Sequence, residues 1–387
     1  MRQREAIQAY LYQLVHGKET GILGNLILLF LRVSSWLYGA GLTFKLDLYR
    51  WGLRKRYKLP CKVISLGNVT VGGTGKTPTA QRLAAIIRDM GYRVVLLNRG
   101  YRAKWRGTVG LVSDGKRTFM TASEAGDEAF LLAKNLPGVP VVIGRNRAVT
   151  GEYAVRELKA QVVILDDGYQ HWQLMRDLDI VLIDTLNVFG NRYLLPRGTL
   201  REPLAHLDRA HACLLTKVDQ SSPDTRDIIR STVHQYNPDA AIIESVHQPR
   251  HCIEIREWYQ GRPPQKLPLS EIAGVKVMAL SAIGNPSSFE QTISDIGACV
   301  VASARYEDHH DYTMAEMQQV MQEAVEADVK AIITTEKDAV KIPAEFIHSD
   351  RPLPVYILGI ELRFMDGCYE QLLELIRRVV EGEKREA

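Results

Sequence analysis

One segment constrains the fold of this chain more than any other. An apolar run, KVISL, leads directly into GNVTVGGTGKTP, from Gly67 to Pro78, and then into TPTAQRLAAIIRDM, whose apolar residues recur at helical spacing. Strand, glycine-rich loop and helix in that order form a turn that grips phosphate. Gly72, Gly73 and Gly75, with Thr74 between them, let backbone N–H groups converge on phosphate oxygens, and the helix N-terminus adds its positive end. Lys76 is then the group that reaches the β- and γ-phosphates, Thr77 offers a hydroxyl to Mg2+, and Pro78 is tolerated in a first turn that has no use for its N–H. The pattern departs from G-x-x-x-x-G-K-[ST] at its first glycine, where this chain has Thr70. An ordinary glycine-rich turn with an exposed lysine leaves unexplained why GKT opens a helix after a buried strand.

After this loop, short β-branched runs alternate with helical patterns: RVVLLN, VVIG, VVILDD, DIVLID and CLLTK. Such alternation builds a parallel sheet covered by helices. A second series, AIIESV, VKVMALSAI, CVVASARY, KAIITTEK and VYILGIEL, predicts another α/β unit. The expectation is a P-loop NTPase-type parallel-sheet domain at 58–235, a smaller α/β domain at 236–387, and an N-terminal helical segment at 1–57 that contacts a membrane. QYNPDA and HQPRHC both read as connectors at the seam.

With 387 residues, 46% of them hydrophobic, the chain can bury two cores, and a net charge of +4 does not point to nucleic acid. Five cysteines stand apart without a C-x-x-C pair, which fits a reducing compartment better than a disulfide framework or zinc site. No cleavable secretory signal is visible at the start. Residues 22–44 are strongly apolar, yet Arg32 and Asn25 interrupt them, so the segment reads as membrane-touching rather than spanning. Trp36, Tyr38 and Trp51, with the basic residues from Arg32 to Arg56, suit an anionic lipid surface.

Three polar groups are candidates for chemistry. Asp166 and Asp167 end the strand VVILDD, where a carboxylate beside a phosphate loop can hold magnesium directly or through water. Asp127 and Glu128 open a helix, where the dipole alone favours acids. In RYEDHHDY, the neighbours His309 and His310 diverge and so seldom share one metal ion; orienting a carboxylate or sharing its proton suits them equally well. Two competing readings stay open. LLTKVD has the [NT]-K-x-D spacing of a GTPase base-reading element through Thr216, Lys217 and Asp219, and the glycine pair resembles metallochaperone and partitioning ATPases, although their signature lysine is Val71 here.

Taken together, GNVTVGGTGKTP, NRGYR (98–102), GDE (126–128), DDGYQH (166–171), PRGTLREP (196–203), SAIGNPSSF (281–289), EDHHDY (307–312) and TTEKDAVK (334–341) resemble the tetraacyldisaccharide 4'-kinases, in the family's order and over most of the chain. The resemblance implies ATP and Mg2+ as cofactors, a glycolipid acceptor bearing a 1-phosphate, the cytoplasmic face of the bacterial inner membrane as location, and no nucleic-acid or protein partner. It implies that Asp127 activates the acceptor hydroxyl, paired with His309 or, failing that, His310 once two domains close. Thr77, Glu128, Asp166 and Asp167 fall at positions near metal and phosphates, while His171 and Glu202 match active-site surroundings. Asn98 stands where a serine is common. The cluster Arg99, Arg102, Lys104 and Arg106, with Arg145 and Arg147, offers a basic rim for an anionic acceptor, and residues 22–44 offer a platform for its acyl chains.

Overall fold

The computed structural model describes residues 21–260, 265–308 and 310–382. In chain order its strands are β1 (Lys62–Asn68), β2 (Val94–Asn98), β3 (Gly110–Ser113), β4 (Val141–Ile143), β5 (Val162–Asp166), β6 (Leu178–Asp184), β7 (Ala212–Thr216), β8 (Ala241–Glu254), β9 (Leu267–Pro268), β10 (Lys276–Ser281), β11 (Cys299–Arg305), β12 (Ala331–Thr335) and β13 (Val355–Phe364). Every run read as a strand from its β-branched composition is one. The described residues fold as two compact units built from separate stretches: one from those up to Lys76, Leu165–Val246 and those from Phe364 to Gly382, the other from those within Thr77–Ile164 and His247–Arg363.

In the first unit, β1, β6, β7 and the start of β8 pair side by side, all parallel. Their side chains are buried on both faces, the condition under which a parallel sheet forms. Val181, Ile183, Leu215, Tyr169 and Phe189 pack one core, onto which the helix Pro223–Tyr236 lays Ile229 and Val233. Ser222 caps that helix by accepting from Thr225 N, with Pro223 at its first turn. Because the strands run the same way, the segments leaving β1, β6 and β7 emerge at one edge, where parallel sheets carry their ligands.

The same unit carries α1 (Ile22–Arg50), 29 residues long. By length and composition it is able to cross a membrane. From Arg32 onward, however, one face is tied to the unit's own body. Arg32 lies over the Tyr193 ring, Ser35 donates to Leu194 O, Tyr38 donates to Arg201 O at 3.2 Å, and Arg50 pairs with Asp208 at 2.9 Å. Ile22, Leu23, Leu26, Leu29, Phe30 and Trp36 remain exposed.

In the second unit, β2 and β4 are parallel and β3 closes against β4 antiparallel; β11, β10, β12 and β13 form a further parallel set. Val277, Ala279, Ile333, Leu358 and Ile293 fill the core beside that set. Two features differ from the sequence reading. GLVS is a strand, too short at four residues to announce itself by periodicity. HQPRHC is strand rather than loop, the part of β8 that enters the second unit at His247: polar side chains at 247, 248 and 250 mask the strand, although Cys252 is buried and pairs with β9.

Candidate active site

The phosphate loop is shaped as its residues require. Gly72 and Gly75 adopt φ of 119° and 80°, which an L side chain resists, and helix α2 (Lys76–Asp89) begins on Lys76 itself. Val71 N donates to Thr199 O at 2.8 Å and Arg201 N to Val69 O at 2.7 Å, so Thr70 bridges Leu200 as a short antiparallel pair. Thr70 is thereby buried in extended backbone. That pairing accounts for the missing first glycine, because an extended residue has no need of one.

The segment PRGTLREP thus braces the loop, and its side chains reach further. Arg201 holds both carboxylate oxygens of Asp167, at 2.6 and 3.1 Å, and also donates to Asn68 Oδ1 at 3.0 Å. Asp167 itself sits at φ 53°, a strained position for a residue with a side chain. Asp166, the last residue of β5, is buried. Gln170 donates to Asn68 O and to Glu202 Oε1, both at 2.9 Å, and His171 accepts through its carbonyl from Arg176 at 3.2 Å. Glu202 is wholly buried and takes two further contacts, from Arg209 at 2.6 Å and with His206 Nδ1 at 2.8 Å. On the other flank, Thr216 Oγ1 donates to Thr74 O at 3.3 Å. The role of Arg201 was legible only as a basic residue in a resembling motif; nothing in its spacing points to Asp167.

In the second unit, α3 (Ala122–Ala125) ends at Gly126 and α4 (Asp127–Asn135) begins. Gly126 takes φ 85°, and a Cβ there would lie 2.5 Å from Tyr101 O, so the GDE turn and the NRGYR segment fit together only through a glycine. Asp127 lines a cavity of about 640 Å³ with Arg102, Lys104, Asp311, Lys341 and Tyr259. Lys341 is buried; burial pulls its ammonium below the usual lysine range, against the opposing pull of Asp338 and Asp127. Burial pushes the Tyr259 phenol up, reinforced by the charge of Asp127. Lys341 went unremarked in the sequence because a lysine closing a helical motif looks like surface charge.

Glu128 follows Asp127 in the first turn of α4 and is half-buried. His310 stacks on Tyr306 at 4.8 Å and meets Glu316 through Nε2 at 3.1 Å. His309 lies outside the described residues. Arg99, Arg106 and Arg145 surround a second cavity of about 450 Å³. Arg147 departs from the expected rim: it is buried and donates to Gly144 O. Among the described residues no cluster of three His, Cys, Asp or Glu side chains stands ready for a metal.

The family model for tetraacyldisaccharide-1-P 4'-kinase matches residues 27–377. A tetraacyldisaccharide 4'-kinase of Halothermothrix orenii is 36% identical over 93% of this chain and 95% of its own length, and one of Syntrophus aciditrophicus is 38% identical over 87% and 89%. Among solved structures, the "apo" form of LpxK from Aquifex aeolicus in complex with ATP matches with a TM-score of 0.68 and 29% identity, covering 89% of this chain and 97% of that one. Together with the strand, phosphate loop and helix described above, these matches establish that the chain belongs to the tetraacyldisaccharide-1-P 4'-kinase family.

Proposed function

We propose that this chain transfers the γ-phosphoryl group of ATP to the 4'-hydroxyl of a tetraacylated glucosamine disaccharide 1-phosphate, a step of lipid A biosynthesis that yields lipid IVA. The single observation that carries the reading is the loop Gly72–Lys76, with its two left-handed glycines and a lysine opening α2, in a chain of this family. The Aquifex aeolicus relative bound to ATP supports the choice of nucleotide.

Phosphoryl transfer asks a protein chiefly to position reactants and to spread negative charge. The loop N–H groups and Lys76 neutralise the phosphates. Asp127 orients the sugar hydroxyl and accepts its proton as the new P–O bond forms, and His309 steadies that carboxylate, with His310 the second choice. A bound magnesium ion would supply further neutralisation of the phosphate charge. Asp166, which is buried, the Thr77 hydroxyl and Glu128 are the residues that would hold it, since Mg2+ takes one or two carboxylates alongside phosphates and water rather than an all-protein cage. Asp167, with both oxygens engaged by Arg201, would contribute its charge near the ion. Arg99, Arg102, His171 and Glu202 belong to the surroundings of the acceptor and the loop.

The acceptor is anionic and greasy, which gives α1 its purpose. Its exposed apolar residues, among them Ile22, Leu26, Phe30 and Trp36, offer a face for the acyl chains. We place the helix along the cytoplasmic face of the inner membrane, in contact with it rather than across it. Functionally we divide the chain into residues 1–57 for membrane contact, 58–235 for phosphoryl transfer and 236–387 for completing the site.

Incubating the purified chain with γ-labelled ATP and the tetraacyl disaccharide 1-phosphate tests the proposal. Label should move to the lipid as a 4'-phosphate monoester and should fail to do so in Lys76→Met. Label released only as inorganic phosphate would reject the kinase reading.

A further inference from the structure

The segment LLTKVD has no part in the mechanism above, yet the fold brings it to the phosphate loop. β7 runs parallel to β6, and β6 to β1, so Thr216–Asp219 leaves the sheet at the same edge as the loop after β1. Thr216, wholly buried, hydrogen-bonds Thr74 O. Lys217 occupies left-handed backbone, φ 59° and ψ 38°, a costly conformation for a side-chain-bearing residue that persists where its surroundings demand it. Thr185 Oγ1 pins that turn through the carbonyls of Thr216 and Lys217, at 3.0 and 2.9 Å.

The turn aims the lysine back along the loop. Its ammonium pairs with Asp184 at 2.6 Å and comes within 3.5 Å of Gly73 O, so its four-carbon stem spans from the end of β7 to the loop itself. A stem held by its ammonium in this way presents its methylenes as an apolar surface. Two residues on, the Asp219 carboxylate is exposed and, among the described residues, has no hydrogen-bond or ion-pair partner. The turn therefore stands against the loop that would hold a nucleotide's phosphates, within reach of its base. There the base meets an apolar face and a carboxylate able only to accept hydrogen bonds.

We infer that Thr216–Asp219 is the base-reading element of this kinase: the Lys217 stem covers the face of a purine, and Asp219 accepts from its amino edge. The inference rests on the nucleotide reading of the loop and extends it to donor choice. Adenine offers a carboxylate its 6-amino group; guanine offers a ring N–H and the adjacent 2-amino group. The element therefore takes purines over pyrimidines and does not exclude guanine. GTP serves as a phosphoryl donor, giving GDP, the lipid phosphate monoester and a proton, and CTP is the poor donor.

The test compares ATP, GTP and CTP as donors for the full chain and for Asp219→Ala, alongside binding of fluorescent ADP and GDP analogues without acceptor. Asp219 is exposed, so the variant should fold as the wild type does. Losing a charge-assisted hydrogen bond to the base should raise the KM for ATP and for GTP about ten-fold or more. The GTP loss should be the larger, while kcat at saturation and the KM for the lipid hold within about two-fold. GDP-analogue affinity should fall in parallel. Unchanged donor KM values and unchanged analogue affinities would overturn the inference while leaving the kinase intact. Absence of lipid phosphorylation from any donor would instead strike the underlying reading, and the binding measurement would still decide the role of Asp219.

Discussion

Arg201 is the residue whose removal should most disturb the phosphate-loop half of the site without touching the loop. It holds Asp167 through two charge-assisted contacts of 2.6 and 3.1 Å and Asn68 through a third of 3.0 Å, with the paired side chains 22% and 32% exposed. Exposed ion pairs contribute about 0–1 kcal/mol, and breaking a fully buried one costs about 3–5 kcal/mol. A half-buried, two-pronged pair falls between them, near 2 kcal/mol, and the Asn68 bond adds about 1 kcal/mol. Arg201→Ala should thus lose about 2–3 kcal/mol in all, with about 1.5–2 kcal/mol appearing as coupling in a double-mutant cycle with Asp167→Ala. Because Asn68 leads into the loop and Asp167 stands beside Asp166, a displacement near 1 Å should also lower kcat by about 100-fold. Arg201→Lys keeps the charge but not the fork and should fall between the two. The assay is denaturant unfolding of the four-member cycle together with steady-state kinetics across a magnesium titration. Coupling below about 0.5 kcal/mol, with kcat within three-fold of wild type, would refute the reasoning.

Other outcomes follow from the same geometry. Asp127→Asn should lower kcat by about 10²–10⁴-fold while leaving the KM for ATP within a few-fold, measured by lipid phosphorylation at saturating donor. Replacing exposed Leu26, Phe30 and Trp36 together by serine should reduce recovery with anionic liposomes in a flotation assay without changing the melting temperature, since none of the three packs on the core. Glu336, which accepts from Asn135 Nδ2 at 2.7 Å, has its carboxyl pushed by burial from 4.5 up to about 7. Its folded form therefore keeps a proton that the unfolded chain releases, and stability is lost as pH rises from 4.5 to about 7. Glu336→Gln keeps the acceptor oxygen and removes that loss, so its stability advantage in denaturant titrations should grow across that window and be absent below it.

What the sequence made legible was mostly local. KVISL, the glycine loop and the helix opening on Lys76 follow from composition and spacing alone, because each obeys a short-range rule: β-branched burial, positive φ at glycine, and a helix N-terminus at the lysine. The family resemblance located GDE and DDGYQH, and the fold adds why Gly126 is needed there. Contacts distant in sequence stayed hidden. Thr70 looked like a defect in a motif until Leu200, 130 positions on, supplied its strand partner, and Arg201 and Lys341 were only members of resembling motifs until folding brought them to Asp167 and to the Asp127 cavity. The burial of Arg147 is of the same kind: an arginine near other arginines reads as a rim, and only its bond to Gly144 O reveals a core residue.

The central claim is that the amides of Gly72–Lys76 and the Lys76 ammonium hold a triphosphate. A crystal structure of the chain with a non-hydrolysable ATP analogue and magnesium tests it most directly. The β- and γ-phosphate oxygens should lie within hydrogen-bond distance of those N–H groups and of Lys76 Nζ. A nucleotide bound elsewhere, with the loop empty, would contradict it.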